Sequence, residues 1–169
     1  NGANVAENID ISANGGRVRF TRNIANVVMD LNDVEAIDFN ALGGADSIVV
    51  GDLAATDATS VDLNLAGNGG AGDAQPDNVV VTGTSNNDAV VVSGSVATGV
   101  RVVGLPAQIS VTGSEPANDR LTINLLAKDD VLDASGLVAG VIQLTVDGGD
   151  GNDVLTGSDP LAVPHQNLA

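Results

Sequence analysis

The chain has 169 residues, with 22 Asp and Glu against 6 Lys and Arg and a formal net charge of −16. That balance excludes a nucleic-acid surface, which needs clustered Lys and Arg to displace counterions, and disfavours an anionic membrane; no apolar run approaches the roughly 18 residues that span a bilayer. Cysteine is absent, so neither a disulfide framework nor a thiolate zinc site exists and stability has to come from elsewhere.

The acid is almost all aspartate, the exceptions being Glu7, Glu35 and Glu115. Aspartate forms turns well, because its short carboxylate bonds nearby backbone N–H groups, and it is a compact ligand for hard cations. There are 21 glycines and only two aromatics, Phe20 and Phe39, so a core built mainly from Val, Ile, Leu and Ala must be narrow. A chain opening on Asn1-Gly2-Ala3, with Met29 as its only methionine, reads as a piece of a longer protein.

In chain order, short β-branched stretches fall at 8–12, 18–21, 26–31, 36–39, 47–50 and 61–65. They continue at 78–82, 89–93, 100–103, 108–112, 120–124, 131–133, 141–146 and 153–156. Their centres lie roughly 9–13 residues apart, with Gly, Asn, Asp and Ser between them, and no segment has a helical period. Asn14-Gly15-Gly16 is a candidate hairpin turn.

A larger repeat overlies the short one. Phe39-Asn40-Ala41-Leu42-Gly43-Gly44-Ala45-Asp46-Ser47-Ile48 echoes Ile123-Asn124-Leu125-Leu126-Ala127-Lys128-Asp129-Asp130-Val131-Leu132, and Arg17-Val18 meets Arg101-Val102 at the same offset. Regular short strands and internal duplication predict an all-β, right-handed parallel β-solenoid (a β-roll or β-helix) with degenerate coils. It is expected as one domain over 1–159, in related halves at about 7–83 and 84–159, followed by a C-terminal tail at 160–169.

One motif carries chemistry. Gly148-Gly149-Asp150-Gly151-Asn152-Asp153-Val154-Leu155-Thr156 matches the nonapeptide calcium pattern G-G-x-G-x-D-x-U-x at every fixed position. Its glycines permit a tight turn, its sixth residue supplies a carboxylate and its eighth enters the core. Because calcium takes 6–8 oxygens, a neighbouring turn has to contribute.

On these residues the chain resembles the haemolysin-type, repeats-in-toxin (RTX) family of secreted bacterial proteins. The resemblance implies calcium held between successive turns, with Asp153 as a side-chain ligand, Gly149 and Gly151 offering carbonyls, Asp150 within the same turn, and Asp130 as the second carboxylate from Lys128-Asp129-Asp130. Only this nonapeptide is intact. Gly43-Gly44-Ala45-Asp46 and Asn86-Asn87-Asp88 are partial, so one or two ions are expected rather than a ladder. An ordinary Asp-rich turn is the competing reading of the same residues.

Other candidates are weaker. Gly67-Asn68-Gly69-Gly70-Ala71-Gly72 spells a dinucleotide pattern, but Asp73 and Pro76 follow where a helix should start, so it reads as a loop. His165 is the only histidine and lies in the tail, which leaves no Ser-His or Cys-His dyad. Arg17, Arg19 and Arg22 are expected to pair with neighbouring acids. The expected function is therefore a non-catalytic, calcium-stabilised structural module of a larger secreted or surface bacterial protein. It is expected not to bind nucleic acid or insert into membranes, and to be capable of self-association or contact with neighbouring repeats. The alternatives are an adhesin or spacer segment with little calcium dependence, and an accessory domain of a secreted polysaccharide-active enzyme.

Overall fold

The computed structural model describes residues 1–157; the expected tail at 160–169, with His165, lies outside them. The strands are β1 (Asn8–Asn14), β2 (Arg17–Arg22), β3 (Val27–Leu31), β4 (Ala36–Leu42), β5 (Ser47–Val50), β6 (Ser60–Gly67) and β7 (Asn78–Thr82). They continue with β8 (Ala89–Ser95), β9 (Gly99–Val103), β10 (Gln108–Thr112), β11 (Arg120–Asn124), β12 (Val131–Leu137), β13 (Gln143–Asp147) and β14 (Val154–Gly157). In most of them β-branched and other apolar residues bury every second side chain: in β7, Val79 and Val81 are buried while Asn78 faces water. Among the described residues no helix is long and apolar enough to cross a membrane.

The strands make two seven-stranded sheets, ordered β13-β11-β7-β5-β1-β2-β3 and β14-β12-β8-β9-β10-β6-β4. Buried residues from both pack as one core, including Ile11, Ile48, Val61, Val92, Leu121 and Ile123. The two aromatics meet across it, Phe20 of β2 against Phe39 of β4 with ring centroids 5.7 Å apart. The small side chains elsewhere suit the thin space between two facing sheets.

The sheets are mixed rather than wholly parallel. β1-β2-β3 and β8-β9-β10 are antiparallel meanders, whereas the remaining ladders are parallel. The first meander turns at Gly15, whose φ of +63° suits glycine, as the Asn14-Gly15-Gly16 signal predicts. The second turns through Ser95-Val96-Ala97-Thr98, where Thr98 N–H donates to the Ser95 carbonyl; this stretch has no hairpin dipeptide to announce it.

The pairing of β1–β7 recurs in β8–β14. In the first set, β1-β2-β3 is a meander, β1 pairs with β5, β5 with β7, and β4 with β6. In the second, β8-β9-β10 is a meander, β8 pairs with β12, β12 with β14, and β11 with β13. Equivalent strands lie in opposite sheets, as β5 and β12 do. Two parallel ladders join the sets, β7 with β11 and β6 with β10.

Ile123 is wholly buried between the sheets, whereas Val96 is 79% exposed. Ile123→Ala is expected to lower stability in urea unfolding by about 2–5 kcal/mol through lost burial and a residual cavity, and Val96→Ala by less than about 0.5 kcal/mol.

Candidate functional site

The turns leading into β1, β5, β7, β8 and β12 share one device. An acidic residue stands immediately before the strand and makes two bonds to the neighbouring turn. Its N–H donates to Oδ1 of the next acid, and its carbonyl accepts from the residue after that acid. Thus Glu7 N–H donates to Asp46 Oδ1 at 2.8 Å while the Glu7 carbonyl accepts from Ser47 N–H at 2.8 Å. Asp46 N–H donates to Asp77 Oδ1 at 2.9 Å, and Asp77 N–H to Asp119 Oδ1 at 3.0 Å. This first column, Glu7–Asp46–Asp77–Asp119, precedes β1, β5, β7 and β11; at β13 the position is Ile142.

A second column, Asp88–Asp130–Asp153, precedes β8, β12 and β14. Asp88 N–H donates to Asp130 Oδ1 at 2.7 Å, and Asp130 N–H to Asp153 Oδ1 at 3.0 Å. Asp88 is held from its own turn, both its oxygens accepting from Thr84. Glu7, Asp46, Asp77, Asp88, Asp119 and Asp130 are all buried.

The nonapeptide turn lies against 125–130. Asp150 N–H donates to the Leu126 carbonyl at 2.9 Å, Lys128 N–H to the Asp150 carbonyl at 2.7 Å, and Asn152 N–H to Asp129 Oδ1 at 3.0 Å. Gly149, at φ +80°, passes so close to the Leu126 carbonyl that no side chain would fit there, and Gly151 passes equally close to Lys128. Asp130 and Asp153 are brought together; Asp150 is exposed and joins through its backbone.

Among the described residues no group of three or more His, Cys, Asp or Glu side chains is arranged to hold a metal ion. What bears on a cation is what the columns leave over. Oδ1 of both Asp130 and Asp153 is taken by an amide, but Oδ2 of Asp130 is buried with no hydrogen-bond partner. An orphaned carboxylate oxygen beside a second carboxylate is chemistry a hard cation can use, and supplies part of the 6–8 oxygens that calcium takes. Asp46 Oδ2 is orphaned in the same way in the first column.

The electrostatics follow from stacking acids. Burial, only partly offset by the Glu7 amide and reinforced by the Glu7 and Asp73 charges, pushes the Asp46 carboxyl up to about 6. Burial, opposed by the Asp46 amide and reinforced by Asp119, Asp46 and Asp73, pushes Asp77 up to about 7. Burial likewise raises Asp119 and Asp130. One cation enters the first column: Arg22 pairs with Glu7. Arg17 pairs with Asp30 at 2.9 Å, and Arg19 lines an open groove with Asn8, Asp10 and Thr21 without an ion pair.

Glu7, Asp77 and Asp119 carry no glycine motif, so the calcium pattern does not find them. Their signal is an acid followed by apolar residues two and four places on, as in Asp77-Asn78-Val79-Val80-Val81 and Asp119-Arg120-Leu121-Thr122-Ile123. No protein-family model matches the chain, and neither a curated protein nor a solved structure matches it.

Asp46 and Asp77 hold a proton more tightly folded than at their ordinary value of 3.8. Their contribution to stability is full below that value and is lost as pH rises through about 6 and about 7. The melting temperature should therefore rise as pH is lowered from about 8 to about 5, the reverse of ordinary acid denaturation. Asp77→Asn, which keeps an acceptor for Asp46 N–H, should flatten that dependence. Asp77→Leu leaves the amide unpaired and should cost about 1–3 kcal/mol at pH 5, where the wild-type carboxyl is protonated.

Proposed function

We propose that the chain is a non-catalytic structural module of a larger secreted or surface bacterial protein. Its parallel strands wind as a right-handed β-solenoid interrupted by two meanders, and calcium at the Asp130–Asp153 turn stabilises it. The observation that carries this reading is the pair of carboxylate columns. The buried acids stand in register on backbone amides of the next turn, an arrangement that fixes one turn on another. Parallel strands joined by crossovers are right-handed in nearly all proteins, which supports the hand.

Asp130 and Asp153 would hold the ion, with carbonyls of the Gly149–Gly151 turn, in keeping with the haemolysin-type pattern of 148–156. A bound cation would neutralise carboxylates that otherwise repel, so binding free energy would become folding free energy. Extracellular modules of this kind bind calcium at about 10⁻⁴–10⁻³ M, concentrations met outside a cell, which agrees with a secreted location.

A second reading is favoured by the amides on Oδ1 of Asp46, Asp77, Asp119, Asp130 and Asp153. With those bonds made, the module would act as an adhesin or spacer segment that needs little calcium.

Thermal melts with millimolar calcium and with EDTA separate the two readings. Calcium should raise the melting temperature of the wild type and leave Asp153→Ala unmoved. Identical melts of the wild type in both buffers would remove the calcium site and leave the spacer.

A further inference from the structure

The two strand sets are joined by a junction whose complementary halves recur, unpaired, at the two ends of the molecule. At the internal junction β11 lies on β7: Asp77 N–H donates to Asp119 Oδ1, the Asp77 carbonyl accepts from Arg120 N–H, and Val79 stands beside Leu121. In the other sheet β10 lies on β6, with Val61 beside Ile109. At one end of the molecule are β13 and β14, the equivalents of β6 and β7. At the other are β3 and β4, the equivalents of β10 and β11. Among the described residues no strand pairs with the outer edge of any of these four; only the end of the β4 edge is taken, where Gly2 N–H donates to the Asn40 carbonyl at 2.7 Å, leaving 36–39 open.

The equivalence extends to the chemistry. Glu7–Asp46–Asp77 corresponds to Asp88–Asp130–Asp153, and the first column has a fourth member, Asp119, while the second stops at Asp153. The residue equivalent to Asp119 is Glu35, which stands immediately before β4 and is followed by Ile37 and Phe39 in the same two-and-four spacing. Its side chain is exposed and makes no hydrogen bond or ion pair. A glutamate stands before a strand elsewhere too: Glu7 precedes β1 and accepts from Ala3 N–H of its own turn at 2.8 Å, as Asp119 accepts from Glu115 N–H.

The inward-facing residues at these ends are incompletely covered. Met29 of β3, the equivalent of Ile109, is 40% exposed where Ile109 is 2% exposed. Leu155 of β14 is only partly buried, although its equivalent Val79 is fully buried.

We propose that the chain associates head to tail with a second copy of itself through this same junction, β4 and β3 of the second copy laid parallel on β14 and β13 of the first. Asp153 N–H then donates to the Glu35 carboxylate of the second copy, the Asp153 carbonyl accepts from Ala36 N–H of the second copy, Leu155 packs beside Ile37, and Leu144 beside Met29. The contact joins two different surfaces, so each added copy presents the same free end again and the assembly grows as an open chain. Every copy carries a net charge of −16, so association strengthens as salt screens the repulsion.

Sedimentation velocity tests this in EDTA, which makes the outcome independent of calcium. In high salt the weight-average mass should climb past two chains as concentration rises, and fall at low salt. Glu35→Leu should weaken association roughly ten- to a hundredfold by removing a charged acceptor, while Glu35→Gln, which keeps an oxygen, restores it. Met29→Lys should weaken it as well. Each variant should melt as the wild type does under dilute conditions, since both side chains are exposed in the lone chain. Hydrogen exchange at the Asp153 amide should slow in the associated state. A single-chain mass at every concentration, a mass that stops at two chains, or variants that associate like the wild type would each overturn the proposal.

Discussion

Everything in this fold hangs on a buried acid that bonds in two directions at once. At the head of a strand the backbone has just left a turn, and its N–H points toward the neighbouring turn with no strand partner available. The carboxylate of the next acid supplies one. That acid's own successor then returns an N–H to the carbonyl below, as Ser47 does to Glu7 and Val154 does to Asp130. Register is thereby fixed at the start of the parallel strands that the columns head, where slippage by one residue would turn the apolar face outward.

The arrangement carries its own opposition. Carboxylates stacked on successive strands repel, and burial disfavours their charged form. Asp46 and Asp77 consequently keep their protons up to about 6 and about 7, and Arg22 pairs with Glu7 at the foot of the first column. A proton, an amide or a cation can each quiet such an oxygen. Amides occupy Oδ1 of Asp46, Asp77, Asp119, Asp130 and Asp153, which leaves Oδ2 of Asp46 and of Asp130 buried without a hydrogen-bond partner.

A recurring pattern of strand pairing organises the architecture around the columns. Seven strands form five in one sheet and two in the other; the second set adds its pair to the first set's five, and the reverse, so each sheet reaches seven. Both sheets then share one narrow core, which Val, Ile, Leu and Ala fill without help from large aromatics except where Phe20 meets Phe39. The swap of sheets between equivalent strands makes the joint between the sets directional, with one kind of edge at each end.

The positions of the strands were legible in the sequence because alternation of apolar and polar residues is a local property. Stretches such as 47–50, 78–82 and 120–124 coincide with β5, β7 and β11. The hairpin at Gly15 was legible for the same reason, whereas the reversal after β8 was not, since it lacks a turn dipeptide. The stacking of 147–153 on 125–130 could be anticipated from one complete glycine motif.

What the sequence could not state was the direction in which each carboxylate is used. Asp46 and Asp130 read as turn acids of matching motifs, yet they lie in opposite sheets and belong to different columns, alongside Glu7, Asp77 and Asp119, which have no glycine signature at all. The order of residues determines which of them alternate and where the chain turns. Which N–H ends up facing which carboxylate is decided only when turns distant in sequence come together, because those partners are chosen by strand pairing rather than by neighbours along the chain.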